Sequence, residues 1–123
     1  TGTAASDESV KMVAELCTRL TVLYLEDTQV TDASVCKIAM HLPKLTSLDL
    51  DNTRVGDTSV THVACGCPEL TRLSLRGTQV TDASVMHVAT NLSHLSYLSL
   101  NEGQASPECL GRLRRRTGLT IVN

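Results

Sequence analysis

The chain of 123 residues has no phenylalanine, no tryptophan and only two tyrosines. Its core must therefore be aliphatic, because ring systems are not there to fill it. No uninterrupted apolar run approaches the roughly 20 residues that a membrane-crossing helix needs. The first residues, Thr1-Gly2-Thr3-Ala4-Ala5-Ser6, lack both the basic start and the apolar stretch of a signal peptide. An excess of either charge is missing too. Eleven Lys and Arg face 13 Asp and Glu, for a formal charge of −2. Such a balance gives no overall pull toward nucleic acid or a membrane surface. Five cysteines, an odd number, do not make a complete disulfide framework. Reduced thiols and an intracellular, cytoplasmic location are expected. The length fits one domain over 1–123.

What the chain does have is an internal repeat. Leu20, Leu45, Leu70 and Leu95 recur every 25 residues, and Leu23/Leu48/Leu73/Leu98 and Leu25/Leu50/Leu75/Leu100 keep the same step. Thr28, Thr53 and Thr78 follow, then Val30, Val55 and Val80. Asp7, Asp32, Asp57 and Asp82 recur as well, with Ser9, Ser34, Ser59 and Ser84. A fixed period of this length is the mark of a solenoid. The reading divides the chain into a partial N-terminal helix unit (1–19), three regular repeats (20–44, 45–69 and 70–94) and a degenerate C-terminal repeat and cap (95–123).

Each unit carries two periodicities. The L-x-x-L-x-L part alternates around its last two leucines, as a short strand with one buried face does. The second part has helical spacing: Val35, Ile38, Ala39 and Leu42 form one apolar stripe, repeated by Val10/Val13/Ala14/Cys17, Val60/Val63/Ala64/Cys67 and Val85/Val88/Ala89/Leu92. Ser6, Thr31, Gly56, Thr81 and Ser106 stand where N-caps belong. Asp follows in four units, where its charge suits the helix dipole, and Pro107 follows in the last. Pro43 and Pro68 close two helices. One strand–helix unit cannot bury its own apolar face, whereas stacked units can. Strands stack about 4.8 Å apart and helices about 8–10 Å apart, so the stack curves with its strands on the concave side. The expected fold is α/β: a right-handed solenoid with a parallel sheet on the concave side and helices on the convex side.

The order L-x-x-L-x-L, then V-T-D, then a helix, then Cys67-Pro68-Glu69-Leu70 resembles the cysteine-containing class of leucine-rich repeats. That class is known from F-box substrate receptors and ribonuclease-inhibitor-like proteins. The resemblance runs from about Ala5 to Leu119 and implies a horseshoe of parallel strands with a binding role. It departs from the family in Thr28, Thr53 and Thr78, which stand where Asn or Cys is usual. It also departs in having no F-box-like segment, so a ubiquitin-ligase role does not carry over.

The candidate site is the concave face. With Leu23 and Leu25 pointing inward, Val22, Tyr24 and Glu26 point outward. The same register presents Ser47, Asp49 and Asp51, then Arg72, Ser74 and Arg76, then Tyr97, Ser99 and Asn101. These positions vary from unit to unit while the framework repeats. Tyr24, Glu26, Asp49, Asp51, Arg72, Arg76, Tyr97 and Asn101 are the protein-binding candidates, Tyr and Arg being frequent hot spots. Alternatively, Asp49 and Asp51 pair with Arg72 and Arg76 across neighbouring strands, which contributes little on an exposed surface.

Other groups read as structure. His62 and His87 occupy equivalent positions off the apolar stripe and should be exposed, with no third ligand for a metal. His41 and His94 lie near helix ends or loops. Cys17 and Cys67 take the stripe position of Leu42 and Leu92 and should be small core residues. Cys36 and Cys65 lie outside it, and Cys65-x-Cys67 lacks the second pair of a zinc motif. Cys109 stands near the start of the last helix, where a thiolate would be favoured, with no base beside it. Arg112, Arg114, Arg115 and Arg116 form either a polar end cap or a basic patch, Arg114 replacing an Ala that faces the stack. Gly66 and Gly77 read as isolated repeat or turn glycines, with no phosphate-binding loop. No acid, base and nucleophile converge, so no enzyme, cofactor, metal or small-molecule substrate is expected. The expected partner is a protein, with neither nucleic acid nor membrane. The rivals are an assembly subunit docking by its stack ends or helical face, and a substrate receptor of a ubiquitin-ligase adaptor.

Overall fold

The computed structural model describes residues 6–116 and 118–122. Helix and strand alternate along the chain: α1 (Asp7–Leu16), β1 (Val22–Tyr24), α2 (Asp32–His41), β2 (Ser47–Asp49), α3 (Asp57–Gly66), β3 (Arg72–Ser74), α4 (Asp82–Asn91), β4 (Tyr97–Ser99), α5 (Pro107–Arg114) and β5 (Thr120–Val122). The five strands form one parallel sheet in sequence order. The first three pairings keep the 25-residue step and the last shortens it to 23, which sets Leu23, Leu48, Leu73, Leu98 and Ile121 side by side.

The helices begin where the caps were read. Ser6, Thr31, Gly56, Thr81 and Ser106 are the N-caps. The Thr31 and Thr81 hydroxyls accept from the N–H groups of Ala33 and Ala83, and the Ser106 hydroxyl accepts from Cys109. Leu42 and Cys67 end α2 and α3, and the prolines that follow stop the helices there. The core lies between sheet and helices. It joins the strand leucines to Val35, Ile38 and Leu42 and to their counterparts Val60, Val63 and Cys67, all fully buried.

Three side-chain devices close the turns. Thr28, Thr53 and Thr78 donate their hydroxyls to the carbonyls of Leu25, Leu50 and Leu75 at 2.6–2.7 Å. In the degenerate last unit Gln104 reaches back instead, donating to the Leu75 carbonyl and the Thr78 hydroxyl. Just before the threonines, Asp27, Asn52 and Gly77 hold φ of 60°, 56° and 70°. That left-handed region suits these three residue types, and the Asn52 amide donates to the Asp27 carboxylate at 2.9 Å.

The row of aspartates does more than start helices. Asp7 accepts from the Thr31 N–H, the Thr31 hydroxyl and the Ser34 hydroxyl of the next unit. Asp57 does the same with Thr81 and Ser84. Asp32 accepts from the Gly56 N–H, and Asp82 from the Ser106 N–H. Each carboxylate thus ties one helix start to the next.

Expectations for the cysteines, the histidines, Arg114 and Gly66 need correction. Cys17 is exposed, because α1 is the first described helix and no described unit covers its outer side. His87 is half-buried, and its Nε2 is buried without a hydrogen-bond partner, whereas His62 is exposed. Cys109 is buried, and burial followed by the nearby Asp82 carboxylate pushes its thiol up, against a thiolate. Arg114 is exposed rather than turned into the stack. Gly66 is no incidental repeat glycine: a Cβ there would run into the backbone carbonyl of Ala39 on α2. Arg116 behaves as a cap, donating to the carbonyls of Ala89, Leu92 and Leu95 at the end of α4, where the helix leaves acceptors free. Arg112 pairs with Glu108 one turn earlier.

Candidate functional site

Strands of three residues leave room for two outward side chains each, and parallel pairing lines these up across the sheet. Val22, Ser47, Arg72 and Tyr97 form one row, and Tyr24, Asp49, Ser74 and Ser99 form the next. Together with Glu26, Leu48 and Leu73, most of them enclose an open groove of about 180 Å³ on the sheet. Its lining includes Tyr24, Glu26, Asp49, Arg72 and Tyr97 from the candidate set, while Asp51, Arg76 and Asn101 lie outside it.

The groove has distinct ends. Tyr24 stands on β1 and is 64% exposed. Opposite it, the Arg72 guanidinium lies over the Tyr97 ring, 4.3 Å from the centroid. This cation–π contact fixes a long side chain that would otherwise move freely. Asp49 lies between, half-buried, and accepts from the Asp51 N–H at 2.9 Å. Burial pushes the Asp49 carboxyl up, the Asp51 N–H pulls it down, and the nearby charges of Asp51 and Glu26 push it up again, leaving it above the usual carboxylate value.

The cross-strand ion pairs weighed as an alternative do not form among the described residues. Asp51 instead accepts from the Ser74 hydroxyl at 2.5 Å and the Arg76 N–H at 2.8 Å. Asp51 therefore braces the end of β3, and Arg76 is held by its backbone with an exposed side chain. Ser99, read as outward, is buried between Ser74 and Val122 in the sheet register. Glu26 and Asn101 are exposed. The sequence signal for the groove was the variability of these positions; Ser47 and Ser74 line it too, and their small size is what leaves the depression.

Among the described residues, no three His, Cys, Asp or Glu groups stand close enough to hold a metal ion. Among these residues, too, no helix is long and apolar enough to cross a membrane. Cys67 is sealed in the core, its thiol pushed up by burial to about 11.

A family model described as "FBD-associated F-box protein At5g56370, LRR repeats" matches residues 9–113. The chain belongs to this leucine-rich-repeat family. The repeat unit, the parallel sheet and the matched span agree on an α/β leucine-rich-repeat solenoid. Among solved structures, the leucine-rich-repeat fold is similar to the leiomodin-1 actin-binding site 2, with a TM-score of 0.72 and 14% identity over 95% of this chain and 77% of that one. It is also similar to an internalin (inlF) from Listeria monocytogenes str. 4b F2365, with a TM-score of 0.58 and 19% identity over 92% of this chain. The chain spans 37% of that internalin. Comparison with curated protein sequences gives no match. Leucine-rich-repeat domains are, in general, protein-interaction modules.

Proposed function

We propose that this leucine-rich-repeat chain binds a protein partner on its concave sheet face, through the groove between Tyr24 and the Arg72–Tyr97 pair. The carrying observation is that variable, chemically mixed side chains gather into one depression on an otherwise repeating frame. Tyr24 offers an uncovered ring, Arg72 is held in place by Tyr97, and Asp49 keeps a carboxyl in a setting that disfavours its charge. Aromatic and arginine anchors of this kind supply most of the affinity in protein interfaces, and perturbed carboxyls gather at functional sites. The similar leiomodin segment is named for binding actin, which supports a protein as the class of ligand and does not identify it here.

The test is capture from extract by the unaltered chain, by an Arg72→Glu/Arg76→Glu variant, and by a Glu69→Lys control in the helix-to-strand loop. A protein retained by the unaltered chain and the control, and lost from the variant while circular dichroism stays native, supports the reading. Equal capture by all three removes it.

A further inference from the structure

The contact that joins successive units is made four times among the described residues and open once. Asp7, Asp32, Asp57 and Asp82 each reach 24 residues ahead to the next helix start. In the fullest form, the receiving N-cap gives its N–H and hydroxyl, and the serine three residues on gives its hydroxyl. The first unit has the same receiving pair, Ser6 and Ser9. No carboxylate among the described residues reaches them. The Ser6 N–H donates to the Ser9 hydroxyl instead, and that hydroxyl donates to the Ser6 carbonyl, both at 3.1 Å.

The apolar positions around this pair tell the same story. Val13 is 39% exposed, while its counterparts Ile38, Val63 and Val88 are fully buried. Cys17 is exposed, while Leu42, Cys67 and Leu92 are fully buried. Leu20 and Leu23 are half-buried where Leu45 and Leu48 are buried. Strand β1 pairs with β2 on one side, and no described strand lies on the other. Hydrogen-bond donors, apolar stripe and strand edge are therefore continuous with the interface used between every other pair of units, and no described unit covers any of the three.

We propose that this end of the stack is a receptor for one more strand–helix unit of the same kind, bearing an aspartate at the first position of its helix. Its strand lies parallel beside β1, its helix covers Val13 and Cys17, and its carboxylate accepts from Ser6 and Ser9. A second copy of the chain stacked end to end does not meet this demand. The helix it would present begins with Pro107 where the other four have Asp, and its first-turn carboxylate, Glu108, stands one position later and pairs with Arg112, so it brings no carboxylate at the joining position.

The test lengthens the full chain by a copy of Thr31–Leu50 joined ahead of Thr1. Those 20 residues carry Asp32, and together with residues 1–5 they restore the 25-residue step. The readouts are thiol labelling of Cys17, with exposed Cys65 as internal reference, and the urea midpoint. The expected result is a single transition at a higher midpoint and a fall in Cys17 labelling by roughly tenfold or more, as burial in a cooperative unit gives. Asp→Ala in the added helix alone should lower the midpoint again, and Ser9→Ala should lower it more in the longer chain than in the original, where it removes only the local bonds to Ser6. Unchanged Cys17 labelling, a separate transition for the added unit, or protection of Cys17 by dimerisation of the original chain would overturn the proposal. An Asp→Ala variant as stable as its parent would overturn the carboxylate's part in it.

Discussion

Asp49 and Asp57 carry the same side chain in the same repeat and are held in opposite ways. At Asp57, partial burial works against the charge, but the hydroxyls of Ser84 and Thr81 and the Thr81 N–H outweigh it, so its carboxyl sits below the ordinary aspartate value of 3.8. A depressed folded value means that the stabilisation is present above 3.8 and is lost as pH falls through the folded value. Asp57→Ala should cost about 1 kcal/mol at pH 7, the net worth of charge-assisted bonds to a partly solvated group. Urea midpoints at pH 7 and pH 3 should show the variant closing on the parent at the lower pH. Asp49 has the reverse sign. Its folded value is raised, so its contribution is greatest below 3.8 and is lost as pH rises through the folded value. Asn keeps an oxygen for the Asp51 N–H and sheds the charge. Asp49→Asn should therefore raise the midpoint at pH 7 and leave it unchanged at pH 3. A lower midpoint at pH 7 would show that the charge is supported by contacts other than those described.

Among elements, two glycines at helical positions make opposite demands. Gly66 ends α3 where the helix comes up against α2, and a Cβ there would meet the Ala39 carbonyl, a backbone atom that cannot swing aside. Gly111 in α5 has nothing within 4 Å of its would-be Cβ. Gly66→Ala should destabilise by about 1–3 kcal/mol, the usual cost of overpacking. Gly111→Ala should stabilise by about 0.5–1 kcal/mol, since alanine restores helix propensity without a clash. Thermal melts of the two variants decide both. The sequence could not separate these cases. Helix starts, stripes and stops were legible because caps, valines and prolines act within their own segment. The equivalents of Gly66 are Leu16, His41 and Asn91, so nothing in the period marks that position as tight. The Asp-to-Ser ties were visible only as two recurring columns, because their partners lie one unit apart and meet only when the units stack.

At the scale of the whole molecule, the period predicts a unit inside an endless stack, and it fails at the first described unit, which no other described unit covers. Cys17 and Val13 are exposed for that reason alone, having the right residue types in the right register. The groove was legible as a row of variable positions. The Arg72–Tyr97 contact and the burial of Ser99 depend on which side chains happen to be neighbours, and the repeat is silent on that.

The same reasoning makes equal leucines unequal. Leu23, Leu48 and Leu73 hold one register position on adjacent strands. Leu48 and Leu73 are buried with a unit on either side, and removing their side chains leaves a cavity that the neighbours cannot fill. Each Leu→Ala change there should cost about 2–5 kcal/mol. Leu23 is half-buried on the edge strand, so water already reaches part of it and the space opens outward. Leu23→Ala should cost about 1–2 kcal/mol, because less burial is forfeited and no closed void remains. Urea unfolding of the three variants, with m-values compared to confirm a common transition, gives the ranking. Equal losses at Leu23 and Leu73 would mean that the first strand is as enclosed as the third. The measured gap between them is a direct reading of how much stability a stack forgoes at an uncovered end.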